Sequence, residues 1–170
     1  MELKEVEFTT HLEHTLTTLR RHGLLLSSVG EDGRPNVMTI GWGCPGIIWS
    51  RPVFVVLVRP SRFTFQNIES TGEFVVSVPR EDMHETCLYC GSVSGRDTDK
   101  FAERGLGTVG AATVEVPLIE QCVRHYECRV VHRNDVVDAA IDGKIRAEAY
   151  KAGDFHRLYY GQVLRVAESV

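Results

Sequence analysis

The order of apolar and polar positions divides the chain into short apolar runs bounded by glycine, proline and charged residues. Runs of this length that are rich in Val, Ile, Thr, Phe and Tyr predict β-strands. Seven segments fit the description: residues 24–29, 36–42, 53–58, 73–78, 121–132, 145–150 and 155–166.

Two links between these runs carry turn signals. Residues 30–35 contain Asp32-Gly33 and Pro35, which predicts that the first two strands form a hairpin. Residues 151–154 include Gly153, and the same argument predicts a hairpin between the last two strands.

Helical periodicity is confined to short segments. Leu12, Leu16 and Leu19 recur at the spacing of one helix face. Seven strands with few and short helices predict a mostly-β barrel with the helices packed outside it, in a single domain covering residues 1–170. The predicted helices are residues 10–21, 61–70 and 97–104.

The composition is that of a globular protein without a basic surface. Of 170 residues, 43% are hydrophobic and 25% are charged, and the formal net charge is −4. Lys and Arg are mixed with Asp and Glu, which argues against a nucleic-acid partner. Any anion site must therefore be a local feature.

Nothing in the sequence predicts export or membrane association. The opening residues 1–5 lead into no apolar signal-peptide stretch, and the longest apolar run, residues 53–58, is far shorter than a membrane span. We therefore expect a cytoplasmic protein with no membrane partner, in which the five cysteines are reduced thiols.

Four of the cysteines suggest a metal site. Cys87 and Cys90 form a C-x-x-C pair, and Cys122 and Cys128 flank His125. On an extended strand Cys122 and Cys128 lie about 20 Å apart and His125 points to the opposite face, so they cannot close one tetrahedral site. Buried reduced thiols are favoured over a structural zinc, and a redox pair at Cys87 and Cys90 is left open.

A first anion-binding turn is predicted at residues 59–64, where an apolar strand leads into a helix. Ser61 suits the N-cap, so the free N–H groups of the first helical turn would face a ligand. Arg59, Arg62 and Thr64 add donors, and a guanidinium can bond two phosphate oxygens at once. An ordinary capped helix with surface arginines fits the spacing equally well.

A second turn of this kind is predicted at residues 92–101. Gly95 would let a ligand approach the backbone, and Ser94, Arg96 and Lys100 could reach a phosphate at the start of the next helix. Taken alone, this turn is better explained as a polar loop whose aspartates cap that helix. Two such turns in a chain without basic bias favour one shared phosphate.

Two further features could contact a planar ligand. The strand at residues 36–42 begins at polar Asn36, and its backbone could bond a polar ring for which the glycines beside Trp42 leave room. The pattern alone favours a core strand with Trp42 packed inside. His156, on the last strand, is a candidate group beside a redox ring, although a structural histidine is the commoner case.

Four segments taken in order resemble the flavoredoxin branch of the flavin-reductase-like family: residues 36–42, 59–64, 91–101 and 156–161. The stretch 120–128 is also similar, and the likeness runs from about residue 18 to residue 166. The resemblance implies a split β-barrel that binds FMN and forms a homodimer, with the flavin near the subunit interface.

The same resemblance implies roles for the candidate residues. The strand from Asn36 to Trp42 would lie beside the isoalloxazine ring, and one group of residues would hold the phosphate while another closes over it. The backbone at Met38, Thr39 and Ile40 would bond the ring's polar edge, Ser61, Arg62 and Thr64 would hold the phosphate, and Ser94, Arg96 and Lys100 would close over it.

We expect an oxidoreductase that takes electrons from NADH or NADPH and passes them through FMN to free flavin or to a protein acceptor. Because the flavin carries the redox chemistry, no catalytic residue is assigned beyond the candidate His156. The alternative is an FMN electron carrier without its own NAD(P)H site, reduced by a partner protein. A split barrel that has lost its flavin is a third hypothesis.

Overall fold

The computed structural model describes residues 2–170, in which ten β-strands and five α-helices are present. Short 3₁₀ turns lie at Glu81–Met83 and Asp138–Ala140. The strands are β1 (Leu3–Glu5), β2 (Leu24–Val29), β3 (Pro35–Ile40), β4 (Gly43–Ile48), β5 (Arg51–Val58), β6 (Glu73–Pro79), β7 (Thr108–Val109), β8 (Leu118–Ile119), β9 (Cys122–Asp135) and β10 (Arg157–Ser169). The helices are α1 (Leu12–Arg21), α2 (Phe63–Thr71), α3 (His84–Ser92), α4 (Lys100–Arg104) and α5 (Gly143–Ala149).

One antiparallel sheet has the order β3-β2-β6-β9-β10-β5-β4, with β1 also paired to β10. β3 and β4 lie at opposite ends of this order, yet only Gly41 and Trp42 join them. In a flat sheet the end strands would lie about 29 Å apart, at about 4.8 Å per strand, whereas the chain from Ile40 to Gly43 spans at most about 11 Å. The sheet therefore curls into a barrel that is split between β3 and β4.

The barrel interior is filled by apolar side chains from both sides of the split. Leu24 and Ile40, on β2 and β3, belong to the same buried cluster as Phe54, Tyr126 and Tyr159 on β5, β9 and β10. The predicted split β-barrel is thus confirmed.

Helices α3 and α4 cover the outer face of β2 and β3. Leu25 and Val37 point outward from these strands and pack against Cys87, Cys90 and Phe101. As a result every residue of β2 is buried. Burial on both faces gives the neighbouring β3 a rigid support.

The strands predicted near the start of the barrel are confirmed. β2 and β3 form an antiparallel hairpin whose register runs from Leu24 opposite Ile40 to Val29 opposite Pro35. β5, β6, β9 and β10 overlap the predicted segments. The strand predicted at residues 36–42 ends at Ile40, because the next two residues make the turn into β4.

The predicted strand at residues 145–150 is wrong, and so is the predicted hairpin at 151–154. This region forms α5, whose N-cap Asp142 accepts N–H bonds from Lys144 and Ile145. The Ala, Arg and Glu residues of α5 favour helix, and the Asp142-Gly143 start is a capping signal. β10 pairs with β9 and β5 instead.

All three predicted helices begin two or three residues later than the pattern indicated, at Leu12, Phe63 and Lys100. The predicted apolar face of α1 is wrong in part, because Leu16 is 46% exposed while Thr15 is buried. The Thr15 hydroxyl lies 2.8 Å from that of buried Tyr126, and this partner is not visible in the sequence pattern. Among residues 2–170, no helix has both the length and the apolar character needed to cross a membrane.

His125 makes the stability of the fold depend on pH. Its ring is fully buried on β9, with Nδ1 2.9 Å from the Ser77 hydroxyl. Burial, assisted by the charge of Arg165, lowers the pKa of His125 to about 4, against about 6.5 in an unfolded chain. Between these values the unfolded chain binds more protons, so acidification favours unfolding.

We expect His125 to contribute about 2–3 kcal/mol to the loss of unfolding free energy between pH 7 and pH 4.5. Urea titrations at both pH values should show a smaller loss in His125→Gln than in the wild type. The exposed His14 provides the control, since His14→Gln should keep the full loss. An unchanged loss in His125→Gln would contradict the assignment.

Candidate functional site

Two adjoining compartments form one cleft along β3. The strand compartment has a volume of about 230 Å³ and the turn compartment one of about 80 Å³. They share Met38 and Arg62, so the cleft is continuous. The strand compartment is lined by Met38, Thr39, Ile40, Gly41, Trp42, Leu57, Arg59, Arg62 and His156, and the turn compartment by Asn36, Met38, Ser61, Arg62, Phe63, Thr64, Cys90, Gly91, Val93, Ser94, Gly95 and Lys100.

The strand compartment combines an open strand edge with aromatic side chains. Among the strands, β3 pairs with β2 alone, so alternate backbone groups on its other edge face the split. One β3 carbonyl, that of Val37, accepts from Lys100. Trp42 is 47% exposed, which contradicts the interpretation of this residue as core. Its ring centre lies 5.0 Å from that of His156. A planar ligand would therefore meet both a polar backbone edge and an aromatic surface.

His156 is held at this compartment by Tyr150. Its Nδ1 lies 2.8 Å from the Tyr150 hydroxyl, and the imidazole is buried. Burial, with a further contribution from Arg59, lowers the pKa of His156 to about 4, so the ring is neutral at pH 7. The contact of Tyr150 with His156 was not predicted from the sequence, because the pattern places Tyr150 at the end of a strand.

In the first predicted turn, two polar side chains bind the protein itself. Arg59 donates to the carbonyl oxygens of Asp154 at 2.7 Å and Ala149 at 2.8 Å, and its guanidinium lies over the Tyr150 ring. The Ser61 hydroxyl donates to the Asp154 carboxylate at 2.6 Å, and the Ser61 N–H donates to it at 3.3 Å. The turn does hold an anion, but that anion is a side chain of the same protein.

Ser61 is not the N-cap of α2, contrary to the prediction. The N-cap is Arg62, which makes no side-chain capping bond, so first-turn N–H groups lack the usual capping partner. The Arg62 side chain is exposed and lines both compartments. Within residues 2–170 its guanidinium has no hydrogen bond or ion pair. Thr64 is buried and accepts a 2.8 Å bond from the Asn36 amide.

The second predicted turn is built around two cations. Arg96 donates to the Ser61 carbonyl at 3.0 Å, and its guanidinium lies 5.4 Å from the Phe63 ring centre. Lys100 is buried and donates to the carbonyls of Val37 at 2.8 Å and Cys90 at 2.9 Å. Burial lowers the pKa of Lys100. Two N–H groups of the ammonium are thus already bonded to backbone carbonyls. The role of Lys100 toward a phosphate stays a prediction.

The two turns meet, as the shared-phosphate hypothesis requires. Ser61 and Ser94 line the same turn compartment, and the Arg96 guanidinium of the second turn donates to the Ser61 carbonyl of the first. The alternative explanation of the second turn was a polar loop whose aspartates cap the next helix. It is also correct in one respect, since Asp99 caps α4 by accepting from the N–H groups of Phe101 and Ala102. This cap does not involve Ser94 or Arg96. Ser94 lines the cleft, and the Arg96 N–H donates a 3.2 Å bond to its hydroxyl.

The cysteines support the site through their backbone. On α3, which the sequence pattern does not predict, the Cys87 carbonyl accepts from the Thr39 hydroxyl and the Cys90 carbonyl from Lys100. Cys87, Cys90 and Cys122 share one buried cluster, whereas Cys128 lies in the barrel interior. Burial raises the pKa of Cys87 to about 11. Among residues 2–170, no group of three or more His, Cys, Asp or Glu is placed to hold a metal ion.

Sequence comparison gives a family and two similar proteins. Residues 19–169 match the family described as "Flavin reductase like domain". A protein of Archaeoglobus fulgidus is 32% identical over 133 residues, which cover 78% of this chain and 65% of that protein. Escherichia coli YddH is 31% identical over 150 residues, covering 79% of each chain. Both are described as uncharacterized, and the chain spans slightly under two thirds of the archaeal relative.

Structural comparison gives the same fold. The flavoredoxin of Desulfovibrio vulgaris has a TM-score of 0.69 at 23% identity, covering 86% of this chain and 69% of its own. The flavoredoxin of Methanosarcina acetivorans has a TM-score of 0.69 at 23% identity, and the match covers 87% of this chain and 69% of that protein. An FMN-binding domain of a flavin-reductase-like enzyme from Shewanella baltica has a TM-score of 0.69 at 21% identity, and the match covers 98% of this chain and 77% of that protein. These likenesses concern the fold.

Gly95 allows the two turns to approach β3. A Cβ at this position would collide with the side-chain amide of Asn36 and lie 3.1 Å from the Phe63 ring. We expect Gly95→Ala to lower the free energy of unfolding by about 1–3 kcal/mol, because the tightly packed neighbours must shift.

Urea denaturation of purified protein measures the effect of Gly95→Ala. Gly110→Ala is the matched control, since open space surrounds Gly110 and its φ is not positive. Equal stability of the two variants would show that the Asn36 contact does not constrain the turn.

Proposed function

The chain belongs to the flavin-reductase-like family, and from this premise we propose that it binds FMN in the cleft along β3 and passes electrons through it. The observation that carries the proposal is the meeting of the Ser61 and Ser94 turns at one end of a cleft whose other end is an open strand edge. The similar structures include two flavoredoxins and an FMN-binding domain, which supports the choice of flavin.

The donor set of the turn compartment fits a phosphate. Arg62 has no other partner within the described residues, and the helix that follows it begins without a side-chain cap. Arg96 adds a second guanidinium, one nitrogen of which is already bonded to Ser61. Cations and helix-start N–H groups together favour an anion at that position.

The strand compartment fits a planar ring with a polar rim. Ligand sites commonly combine apolar walls with a few fixed polar groups. Leu57 and Trp42 supply apolar surface, and the free edge of β3 supplies alternate backbone groups within the stretch Met38–Ile40. The Asn36–Thr64 bond ties this strand to the first turn. The start of β3 is therefore fixed against the turn that would hold the phosphate.

FMN, when bound, would supply the redox chemistry by accepting electrons from a donor and releasing them to an acceptor. The chain's own residues orient and neutralise it. Arg62 and Arg96 offset the negative charge of the phosphate, and β3 orients the ring. His156, kept neutral by burial and fixed by Tyr150, adds no charge beside the ring.

We further propose NADH or NADPH as the electron donor and free flavin or a protein as the acceptor. The half-exposed Trp42 leaves the strand compartment open to an approaching nicotinamide. An electron carrier that a partner protein reduces would use the same opening. The donor test below separates these two functions.

A homodimer is part of the proposal. β4 is the second end strand of the sheet and has one hydrogen-bonded neighbour. Ile47 on this strand is 64% exposed, and Trp49 in the following turn is also exposed. Large apolar side chains beside a free strand edge are typical of a surface covered by another chain. Because Trp42 lies next to β4, a second copy there would stand close to the ring end of the cleft.

The absorption spectrum tests the proposal directly. Purified protein, or protein mixed with FMN and freed of excess ligand, should show the two flavin bands in the visible range. Anaerobic addition of NADH or NADPH should then bleach the longer-wavelength band. Bleaching by dithionite alone would favour the electron carrier, and protein that stays colourless after FMN is added would contradict both functions.

Arg62 provides the sharper test of the phosphate site. We expect Arg62→Ala to weaken FMN binding by roughly 10- to 150-fold, since a charge-assisted bond of ~1.5–3 kcal/mol is lost. Riboflavin has no phosphate, so its affinity should change little. Arg20→Ala on α1, an exposed arginine away from the cleft, is the control. Equal losses for FMN and riboflavin, or unchanged FMN affinity, would remove Arg62 from the phosphate site.

A further inference from the structure

Two histidines from distant parts of the chain meet where α1 ends and α3 begins. The Nδ1 atoms of His22 and His84 lie 3.1 Å apart, although 62 residues separate them in the sequence. Their ring centres lie 5.0 Å apart, and the ring planes are inclined at 68°. His22 is half-buried and His84 is exposed. Neither residue lines the cleft, so the proposed function makes no use of this pair.

The backbone on both sides of the pair is anchored to the same residue of β3. His22 is the C-cap of α1, and the next residue, Gly23, has a φ of 80°. A Cβ on Gly23 would lie 2.6 Å from the Thr39 side chain, so the chain is tightly packed there. His84 begins α3, and the Cys87 carbonyl one turn later accepts from the Thr39 hydroxyl. The two imidazoles are therefore carried by elements whose relative position is fixed.

The distance between the two ring nitrogens suits a shared metal ion. A divalent transition metal such as zinc binds imidazole nitrogen at about 2.0–2.1 Å. With 3.1 Å between the nitrogens, both can lie at that distance from one ion, with an N–metal–N angle of roughly 95–102°. This angle lies between the right angle of square-planar or octahedral coordination and the tetrahedral angle. Imidazole suits Zn²⁺, Cu²⁺ and Ni²⁺ in these geometries.

The same contact can also form as a direct hydrogen bond, in which one ring donates its Nδ1–H to the Nδ1 lone pair of the other. A metal ion instead uses both lone pairs and leaves both ring protons on Nε2. Within residues 2–170 the Nδ1 contact is the one side-chain hydrogen bond that either imidazole makes. No other hydrogen bond of the described chain therefore holds a proton on Nδ1.

The electrostatic surroundings of the pair are close to balanced. α1 ends at His22, and the partial negative charge of a helix C-terminus favours a cation, whereas the start of α3 carries the opposite partial charge. Exposed side chains of both signs flank the pair in the sequence, namely Arg20, Arg21, Glu81 and Glu85. The affinity for a metal ion therefore depends on the two nitrogen ligands.

From this geometry we propose that His22 and His84 form a binding site for a divalent transition-metal ion of the Ni²⁺, Cu²⁺ and Zn²⁺ class. Each histidine binds the ion through Nδ1. Among residues 2–170 no group of three or more His, Cys, Asp or Glu is placed around one ion, so water fills the other coordination positions. The ion ties the end of α1 to the start of α3. The site lies outside the cleft and does not rest on flavin binding.

Calorimetric titration of the purified protein with NiCl₂ at about pH 7.5, where unperturbed histidines are neutral, tests the site. We expect one Ni²⁺ per chain. His22→Gln and His84→Gln should each weaken binding by roughly 10-fold or more, because one of the two protein ligands is lost. His14→Gln, which removes an exposed histidine of α1, is the matched control and should keep the wild-type affinity. Mg²⁺ prefers oxygen ligands and should not bind.

Two further measurements keep the test independent of how well the variants fold. Wild-type protein with less than one equivalent of Cu²⁺ should give an electron paramagnetic resonance spectrum with coupling to two nitrogens. Saturating Ni²⁺ should raise the urea midpoint of the wild type and leave that of both single variants unchanged, because the paired ligands exist in the folded chain alone.

Other outcomes would overturn the metal site. Ni²⁺ affinity that survives in both single variants, or coupling of Cu²⁺ to a single nitrogen, would leave the contact as a hydrogen bond between two rings. An equal loss of affinity in His14→Gln would assign the binding to scattered surface histidines. None of these measurements involves flavin, so their failure would leave the proposed function standing.

Discussion

The structure depends on the closure of its sheet by a two-residue link. β3 and β4 are the end strands of the order, and Gly41-Trp42 holds them together without a hydrogen-bonded ladder between them. Closure gives the barrel one continuous interior, while the missing ladder leaves β3 with a free edge. The cleft lies along that edge. The same constraint therefore produces both the core and the site.

Most of the cations near the cleft hold the backbone in place. Arg59 fixes the segment from Ala149 to Asp154, and Lys100 connects β3 to α3 by bonding Val37 and Cys90. A buried ammonium or guanidinium must find acceptors, and backbone carbonyls supply them here. Arg62 differs from these residues because it has no such partner within the described chain. The charge available to an anion is thus smaller than a count of basic residues suggests.

The fold was largely accessible from the sequence, and the site was accessible in part. Strand alternation and the Asp32-Gly33 turn were sufficient for the first hairpin, because these are local properties of the chain. The prediction failed at residues 145–150, where apolar content outweighed the capping signal of Asp142. The convergence of the Ser61 and Ser94 turns was correctly anticipated, but the partners of Ser61 and Arg59 were not. Those partners lie about ninety residues further along the chain, and no local pattern indicates them.

The sequence by itself determined six of the ten strands and the two arginine-bearing turns, because periodicity and turn chemistry act over a few residues. It also indicated the family, through the resemblance of four segments taken in order. Tertiary structure alone decided how these pieces are used. It exposed Trp42 instead of burying it. It also paired the Ser61 hydroxyl with the Asp154 carboxylate and buried the Lys100 ammonium against two backbone carbonyls. It also placed a space of about 260 Å³, lined by Phe63 and Phe101, beside the two turns. The physical reason is that a polar group's role is set by the acceptors that folding brings to it, and those come from distant parts of the chain.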